Sequence, residues 1–290
     1  MNEGQIIQWF PGHMTKTRRQ MNEDIALVDA VAEIVDARIP HSSRNPDIPS
    51  IIGKKPLIVL LNKADMADPN ETKKWILSYQ KKGISAFPVE GKTGRGLEAF
   101  RVGVRERLSD KLEQYRQKGM PGKSLRVMVV GIPNVGKSTL INRLVGGNKA
   151  KAENRPGVTR SRQWFSAGKQ LELLDTPGIL WPKFDDPLVG ERLAFTGAIR
   201  DGVLEIEDLA VRLLMLLGES YRESLTERFG ELDFSGDAYD LLCQIGKKRG
   251  MMIRGGEVDT ARASAMLMEE FRSAKLGRIT LERAEDYAGL

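Results

Sequence analysis

The sequence has few of the residues that staple small or secreted folds. It contains one cysteine, Cys243, in 290 residues, which excludes a disulfide framework and fits a reducing compartment. Two histidines beside that cysteine leave few soft ligands for a zinc site. No apolar run approaches the ~18 residues that a membrane span needs. There is no internal repeat at solenoid or propeller periods and no low-complexity tract. Residues 1–20 carry Lys16, Arg18 and Arg19 but no uncharged core before a small-residue cleavage site, so no secretory signal is expected. What remains is ordinary for a globular protein, with 41% hydrophobic and 29% charged residues. At about 150 residues per domain, the length predicts two domains.

Charge is unevenly divided. The whole chain is +6, residues 1–199 hold 32 basic and 21 acidic side chains, and residues 200–290 hold 13 and 18. The first two thirds are therefore net +11 and the remainder −5. A basic body of this kind suits a polyanionic partner such as nucleic acid, although solvated lysines also simply keep a protein soluble.

Hydrophobic patterning predicts an N-terminal helix from Met14 to about Val28, then a short buried strand at Val31–Val35. The run Leu57–Leu61 is a second, near-continuous apolar strand of the parallel-sheet type. A polar helix is expected from about Glu71 to Lys82, a strand near Ala86–Val89, and a helix from about Leu97 to Gln117. A turn-rich linker at 118–124 precedes a third buried strand, Leu125–Val130, which runs into a glycine loop and a helix from Ser138. Gln163–Ala167 and Gln170–Leu174 read as two more strands. Strands alternating with helices predict an α/β fold, a doubly wound and mostly parallel sheet. After about Gly202 only helical stripes remain: Leu209, Leu213 and Leu216; Tyr239, Leu242 and Ile245; Ala263, Leu267 and Phe271. The expected organisation is an α/β domain over 1–185 with an N-terminal helical extension, a linker over 186–201, and a smaller all-α domain over 202–290.

Three motifs carry chemistry. Gly131-Ile132-Pro133-Asn134-Val135-Gly136-Lys137-Ser138 has the two glycines, lysine and hydroxyl of a phosphate-binding loop. Its glycines let backbone amides curl around a phosphate, and the helix that follows adds its positive end. Asn134, Val135, Gly136, Lys137, Ser138 and Thr139 would line the phosphates, with Lys137 on the β- and γ-groups and the Ser138 hydroxyl on Mg²⁺. Asp175-Thr176-Pro177-Gly178 follows a strand, so Asp175 can hold Mg²⁺ through water and the Gly178 amide can meet a γ-phosphate. Such a tetrapeptide is also an ordinary turn; its place about 40 residues after a phosphate loop gives it weight. Thr159, in the loop between them, is a candidate for a second hydroxyl on Mg²⁺.

Asn62-Lys63-Ala64-Asp65 ends the apolar strand. A carboxylate at Asp65 can accept from the N1–H and exocyclic amine of guanine, donors that adenine does not offer in that geometry. An unpaired buried carboxylate costs several kcal/mol, so discrimination of order 10⁴-fold is available. Asn62 would brace neighbouring loops, and the Lys63 stem would cover the ring. Glu90-Gly91-Lys92 would supply a further base-contacting loop, with the Gly91 amide reaching the guanine carbonyl and Glu90 beside it.

Together these motifs resemble those of translation-factor-class GTPases in a permuted order, with Asn62–Asp65 ahead of the phosphate loop. That order is similar to the circularly permuted GTPases, and permutation is physically easy where domain termini lie close. With Trp9-Phe10-Pro11-Gly12-His13-Met14 and Asp36-Ala37-Arg38-Ile39-Pro40, the chain resembles the bacterial ribosome biogenesis GTPase A family over nearly its whole length. The resemblance implies a cytoplasmic enzyme that binds and hydrolyses GTP late in assembly of the large (50S) ribosomal subunit. Its implied partners are the subunit precursor and its rRNA, with no membrane and no DNA. Two positions depart from the pattern: the last base loop is often Ser-Ala-Lys rather than Glu90-Gly91-Lys92, and residues 200–290 are acidic where the family has a module similar to RNA-binding helices.

Many GTPases orient water with a glutamine after Asp-x-x-Gly, but Ile179 and Leu180 stand there. His13 is the candidate catalytic group, since an imidazole with a pKa near ~6.5 can orient water or move a proton. The family resemblance implies the same role; the alternatives are a cap on the helix from Met14 or an rRNA contact. His41, in a polar loop, is expected to be solvated. The resemblance also implies K⁺ held at Asn134 as a fixed charge on the phosphates. A rival reading of the chain is a GTP-responsive RNA-binding switch whose hydrolysis is incidental.

Overall fold

The computed structural model describes residues 19, 21–147, 163–178, 184, 186–199 and 205–287. Its centre is a sheet of β1 (Ala30–Asp36), β2 (Leu57–Asn62), β3 (Ser85–Pro88), β4 (Leu125–Gly131), β5 (Gln163–Ser166) and β6 (Leu171–Asp175). The spatial order is β3-β2-β1-β4-β6-β5. All neighbours run parallel except β5, which pairs antiparallel with β6 at one edge.

Burial on both sides explains why the central strands read as continuous apolar runs. Side chains alternate between faces. Ala30, Ala32, Ile34, Ile58, Leu60, Val127 and Val129 pack on one face against Phe100, Val104, Leu140 and Ile141. Val35, Val59 and Leu61 meet Trp75 and Tyr79 on the other, where Val31, Met128 and Val130 meet Met21, Ile48 and Ile52.

The helices of the α/β part are α1 (Ile48–Ile52), α2 (Pro69–Lys81), α3 (Leu97–Arg107), α4 (Ser109–Gln117), α5 (Lys137–Val145) and α6 (Pro187–Phe195). Asp68 caps α2 by accepting from Asn70 and Glu71 amides ahead of Pro69, the sequence signature of a helix start. The single helix expected over 97–117 is two helices. The chain turns at buried Leu108 (φ −110°, ψ 22°), and beyond the turn Tyr115 donates to Asp29 Oδ1 at 2.9 Å. Within 186–201, α6 buries Leu193 with the sheet's core and Ala194 and Phe195 with the helical core.

The helical part comprises α7 (Ile206–Ser220), α8 (Arg222–Phe229), α9 (Ala238–Lys248) and α10 (Thr260–Arg272). Leu209, Leu213, Leu242, Ile245, Ala263, Leu267 and Phe271 are buried as their spacing predicts. Tyr239 is not: it is 48% exposed, because the buried stripe of α9 runs through Ala238, Leu241, Leu242 and Ile245, one position off.

After α10 the chain returns to the α/β part as an extended strap. Ile279 N–H donates to Met66 O at 3.0 Å and Leu281 N–H to Arg38 O at 2.8 Å. Trp75 Nε1 donates to Glu282 O at 2.8 Å, and Ala284 packs with Trp75 and Tyr79. Among the described residues no helix is long and apolar enough to cross a membrane.

Candidate nucleotide-binding site

Parallel strands that stop together leave a crevice at their carboxyl ends, where doubly wound folds bind ligands. Here register aligns Asp36 with Asn62, Ile34 with Gly131 and Val129 with Asp175. The three motifs therefore converge at one sheet edge, although they span residues 62 to 178.

The phosphate loop leaves β4 at Gly131 and enters α5 at Lys137. Asn134 and Gly136 both hold positive φ, +60° and +94°, the curl that turns amides inward. A Cβ on Gly136 would lie 2.4 Å from Asn62 Nδ2, so only glycine fits there. Lys137 is buried and pairs with Asp175 Oδ1 across the loop. Burial pulls its pKa below the usual lysine range, against the opposing effect of Asp175. Ser138 is half-buried, Thr139 is exposed, and Gly178 approaches the loop so closely that a Cβ would lie 3.2 Å from Pro133 N.

Asn62 joins three segments. Its Nδ2 donates to Val135 O at 2.8 Å and its Oδ1 accepts from Gly91 N–H at 3.0 Å. The Gly91 amide is thus spent within the site's frame. The Glu90 carboxylate likewise accepts from Thr93 Oγ1 at 2.7 Å and lies 3.7 Å from Arg95. Lys63, at φ +60°, sends Nζ to Asn134 O at 3.1 Å and Asp36 Oδ2 at 2.9 Å. Buried Ala64 donates its N–H to Val89 O at 3.2 Å, and Asp65 stands exposed beside it.

Sequence reasoning missed what stands behind this front. Arg38, 1% exposed, grips Asp36 through Nε at 2.9 Å and Nη2 at 2.7 Å and lies over the Phe271 ring at 5.4 Å. Burial would raise the Asp36 pKa, but Arg38 and Lys63 more than offset it and hold the carboxyl well below its usual range. The Asp-x-Arg spacing at the end of β1 was the available signal. Asn134 Nδ2 donates to Gly197 O at 2.8 Å. The turn after α6 is held in turn by Arg272, whose Nε and Nη2 reach Phe195 O at 3.1 Å and Ala194 O at 2.8 Å.

His41 is only partly solvated. It is half-buried, stacks on Tyr287 with centroids 4.2 Å apart, and burial lowers its pKa. Its loop is held by Glu282, which accepts from His41 N–H at 2.7 Å and Ser42 N–H at 3.1 Å. His13 and Thr159 lie outside the described residues.

A doubly wound sheet with this loop at its carboxyl edge defines the phosphate-loop NTPase class, and a family model described as "50S ribosome-binding GTPase" matches residues 126–232. The chain is 48% identical over 282 residues to Ribosome biogenesis GTPase A of Bacillus cereus, covering 97% of this chain and 95% of that protein. It is 32% identical over 281 residues to the Thermotoga maritima protein of the same name, covering 97% and 95%. The solved structure of GNP-bound YlqF from T. maritima superposes with a TM-score of 0.62 at 30% identity, covering 93% of this chain and 99% of that one. A GDP-bound YlqF structure gives 0.68 at 28% identity, covering 92% and 100%. The chain belongs to the ribosome biogenesis GTPase A family.

Proposed function

We propose that this GTPase acts on the precursor of the large ribosomal subunit in late maturation, and that contact with the subunit and its rRNA stimulates hydrolysis. The motif order supports a circularly permuted GTPase domain of the kind outlined above, and one cysteine in 290 residues supports a reducing compartment such as the cytoplasm. One observation carries the nucleotide reading: the Asn62 side chain ties the base-recognition turn to the phosphate loop through Val135 O. Base and phosphates are thereby read by one rigid frame.

In this reading Asp65 accepts from guanine, and the loop from Asn134 to Thr139 cradles the phosphates. Lys137 exchanges Asp175 for phosphate oxygens, which frees the Asp175 carboxylate for a metal. No cluster of three His, Cys, Asp or Glu side chains exists among the described residues, so a Mg²⁺ site needs phosphate oxygens together with Ser138, Asp175 and Thr159. When bound, Mg²⁺ supplies positive charge where negative charge develops on the transferred phosphoryl group. Asn134 spends its Nδ2 on Gly197 O, leaving the amide oxygen as the atom suited to K⁺. His13 orients the attacking water.

GTP turnover in potassium and in sodium buffer, with and without purified large subunits, tests the proposal. The expected result is a potassium-dependent rise specific to large subunits that His13→Ala abolishes with GTP affinity retained. No rise with mature or precursor subunits would overturn it in favour of the switch with incidental hydrolysis.

A further inference from the structure

The turn that carries Asp65 has little holding it in place from within. Lys63 sits at φ +60°, a conformation costing a non-glycine residue about 1–3 kcal/mol unless its surroundings impose it. Met66 N–H closes the turn on Lys63 O at 2.9 Å. The Asp65 carboxylate makes no hydrogen bond among the described residues. Its direction is therefore set by the peptides on either side of it: the strap holds the preceding one at Ala64 O, Met66 N–H ties the following one to Lys63 O, and the strap holds the next peptide along at Met66 O. Arg278 Nη2 donates to Ala64 O at 2.8 Å, and its Nε donates to Ala67 O at 2.9 Å. Ile279 N–H takes Met66 O at 3.0 Å. Three of the four carbonyls from Ala64 to Ala67 thus accept from two adjacent residues more than 200 positions away.

The strap is itself fixed by the helical part. Leu276 and Ile279 are buried in the helical core. Tyr221 OH donates to Thr280 O at 2.8 Å and accepts Thr280 N–H at 3.1 Å. Gly277, at φ +98°, makes the turn that aims Arg278 at the site. A planar guanidinium can span two carbonyls in fixed geometry, which a single ammonium cannot reproduce.

We infer that Arg278 is a positioning residue for guanine recognition, which orients Asp65 by clamping the Ala64 and Ala67 carbonyls from the strap. The inference rests on the reading above that Asp65 receives the base. Guanine selectivity then depends on how the helical part docks on the α/β part.

The test uses the full-length chain and equilibrium affinities for GDP and for inosine diphosphate, which lacks the exocyclic amine. Losing the clamp should weaken GDP by about 10-fold in Arg278→Ala while inosine diphosphate weakens less, so the ratio of the two falls. The ratio is internal to each protein and does not depend on the fraction folded. Arg278→Lys should recover part of the ratio by holding one carbonyl. Arg283→Ala, on the same strap but directed at Ser220 Oγ, should match the parent protein. An equal loss for both nucleotides, or no loss, would overturn the inference. Asp65→Asn, measured with GDP and xanthosine diphosphate, separates the two layers. If it moves preference toward xanthine while Arg278→Ala leaves the ratio untouched, only the Arg278 inference fails. If Asp65→Asn moves nothing, the reading of Asp65 fails and takes the inference with it.

Discussion

Replacing Glu282 by glutamine should remove a pH-dependent loss of stability that the strap builds into the molecule. The Glu282 carboxyl is buried beneath the loop of His41 and Ser42, and burial lifts its pKa from 4.5 to about 7 against the amides and hydroxyl that donate to it. A carboxyl whose folded pKa exceeds its unfolded one holds its proton longer when folded. Its contribution is complete below about pH 4.5 and is lost as pH rises through about 7. At about 1.4 kcal/mol per pH unit, that window amounts to about 3 kcal/mol. Glutamine mimics the protonated form, keeping an oxygen for the His41 and Ser42 amides and turning its NH₂ to the Ser42 hydroxyl. Other groups facing this carboxyl are His41, Arg192, Tyr79 and Tyr287. His41, whose neutral form burial favours, bends the curve the other way in acid. Being present in both proteins, these groups cancel in the difference. Urea titrations followed by far-UV circular dichroism at pH 4.5, 6, 7 and 8 measure that difference directly. Glu282→Gln should gain about 3 kcal/mol on the parent protein between the ends of the range. A difference that stays constant with pH would refute the reasoning.

Asn62→Ala removes the donor to Val135 O and the acceptor for Gly91 N–H, so unfolding free energy should fall by about 2–3 kcal/mol, and calorimetric titration should show weakened GDP. Gly136→Ala forces a side chain to φ +94° with its Cβ 2.4 Å from Asn62 Nδ2; GDP affinity should drop about 5- to 150-fold at ~1–3 kcal/mol of strain, and unchanged affinity would contradict the steric account. Trp75→Phe leaves buried Glu282 O without its donor and should lower the urea midpoint by the equivalent of about 1–2 kcal/mol, with no change in the GDP-to-inosine diphosphate ratio.

The parts of the fold legible in the sequence were those with a local cause. Strands such as Leu57–Asn62 announce themselves because both faces are buried, and the loop 131–138 because its two glycines, lysine and hydroxyl stand at a fixed spacing. Asn62 was expected to brace neighbouring loops, and it does so, through partners 29 and 73 residues away. Short helices escaped notice: Ile48–Ile52 has barely one turn, and Arg222–Phe229 buries only Leu225 and Phe229. The strap escaped for a different reason. Arg278 and Glu282 sit in a short alternating stretch, Arg278-Ile279-Thr280-Leu281-Glu282, that pairs, among the described residues, with no strand of the sheet, and their hydrogen-bond partners lie beyond 200 residues. His41 was misread because a polar loop gives no hint that Tyr287 will stack on it. Glu90, Gly91 and Asn134 show that spacing can mark a loop as part of a site without revealing which of its atoms the protein uses for itself.

The strap also sets a timetable. Ala64 is made 214 residues before the arginine that clamps it, an interval of roughly 10–40 s at elongation rates of about 5–20 residues per second. For most of that time the nascent chain carries both its Asn62–Asp65 turn and its phosphate loop, but the arginine whose fork meets the Ala64 carbonyl has not yet been made. If Arg278 orients Asp65 as inferred, discrimination between nucleobases matures only once the strap has been made.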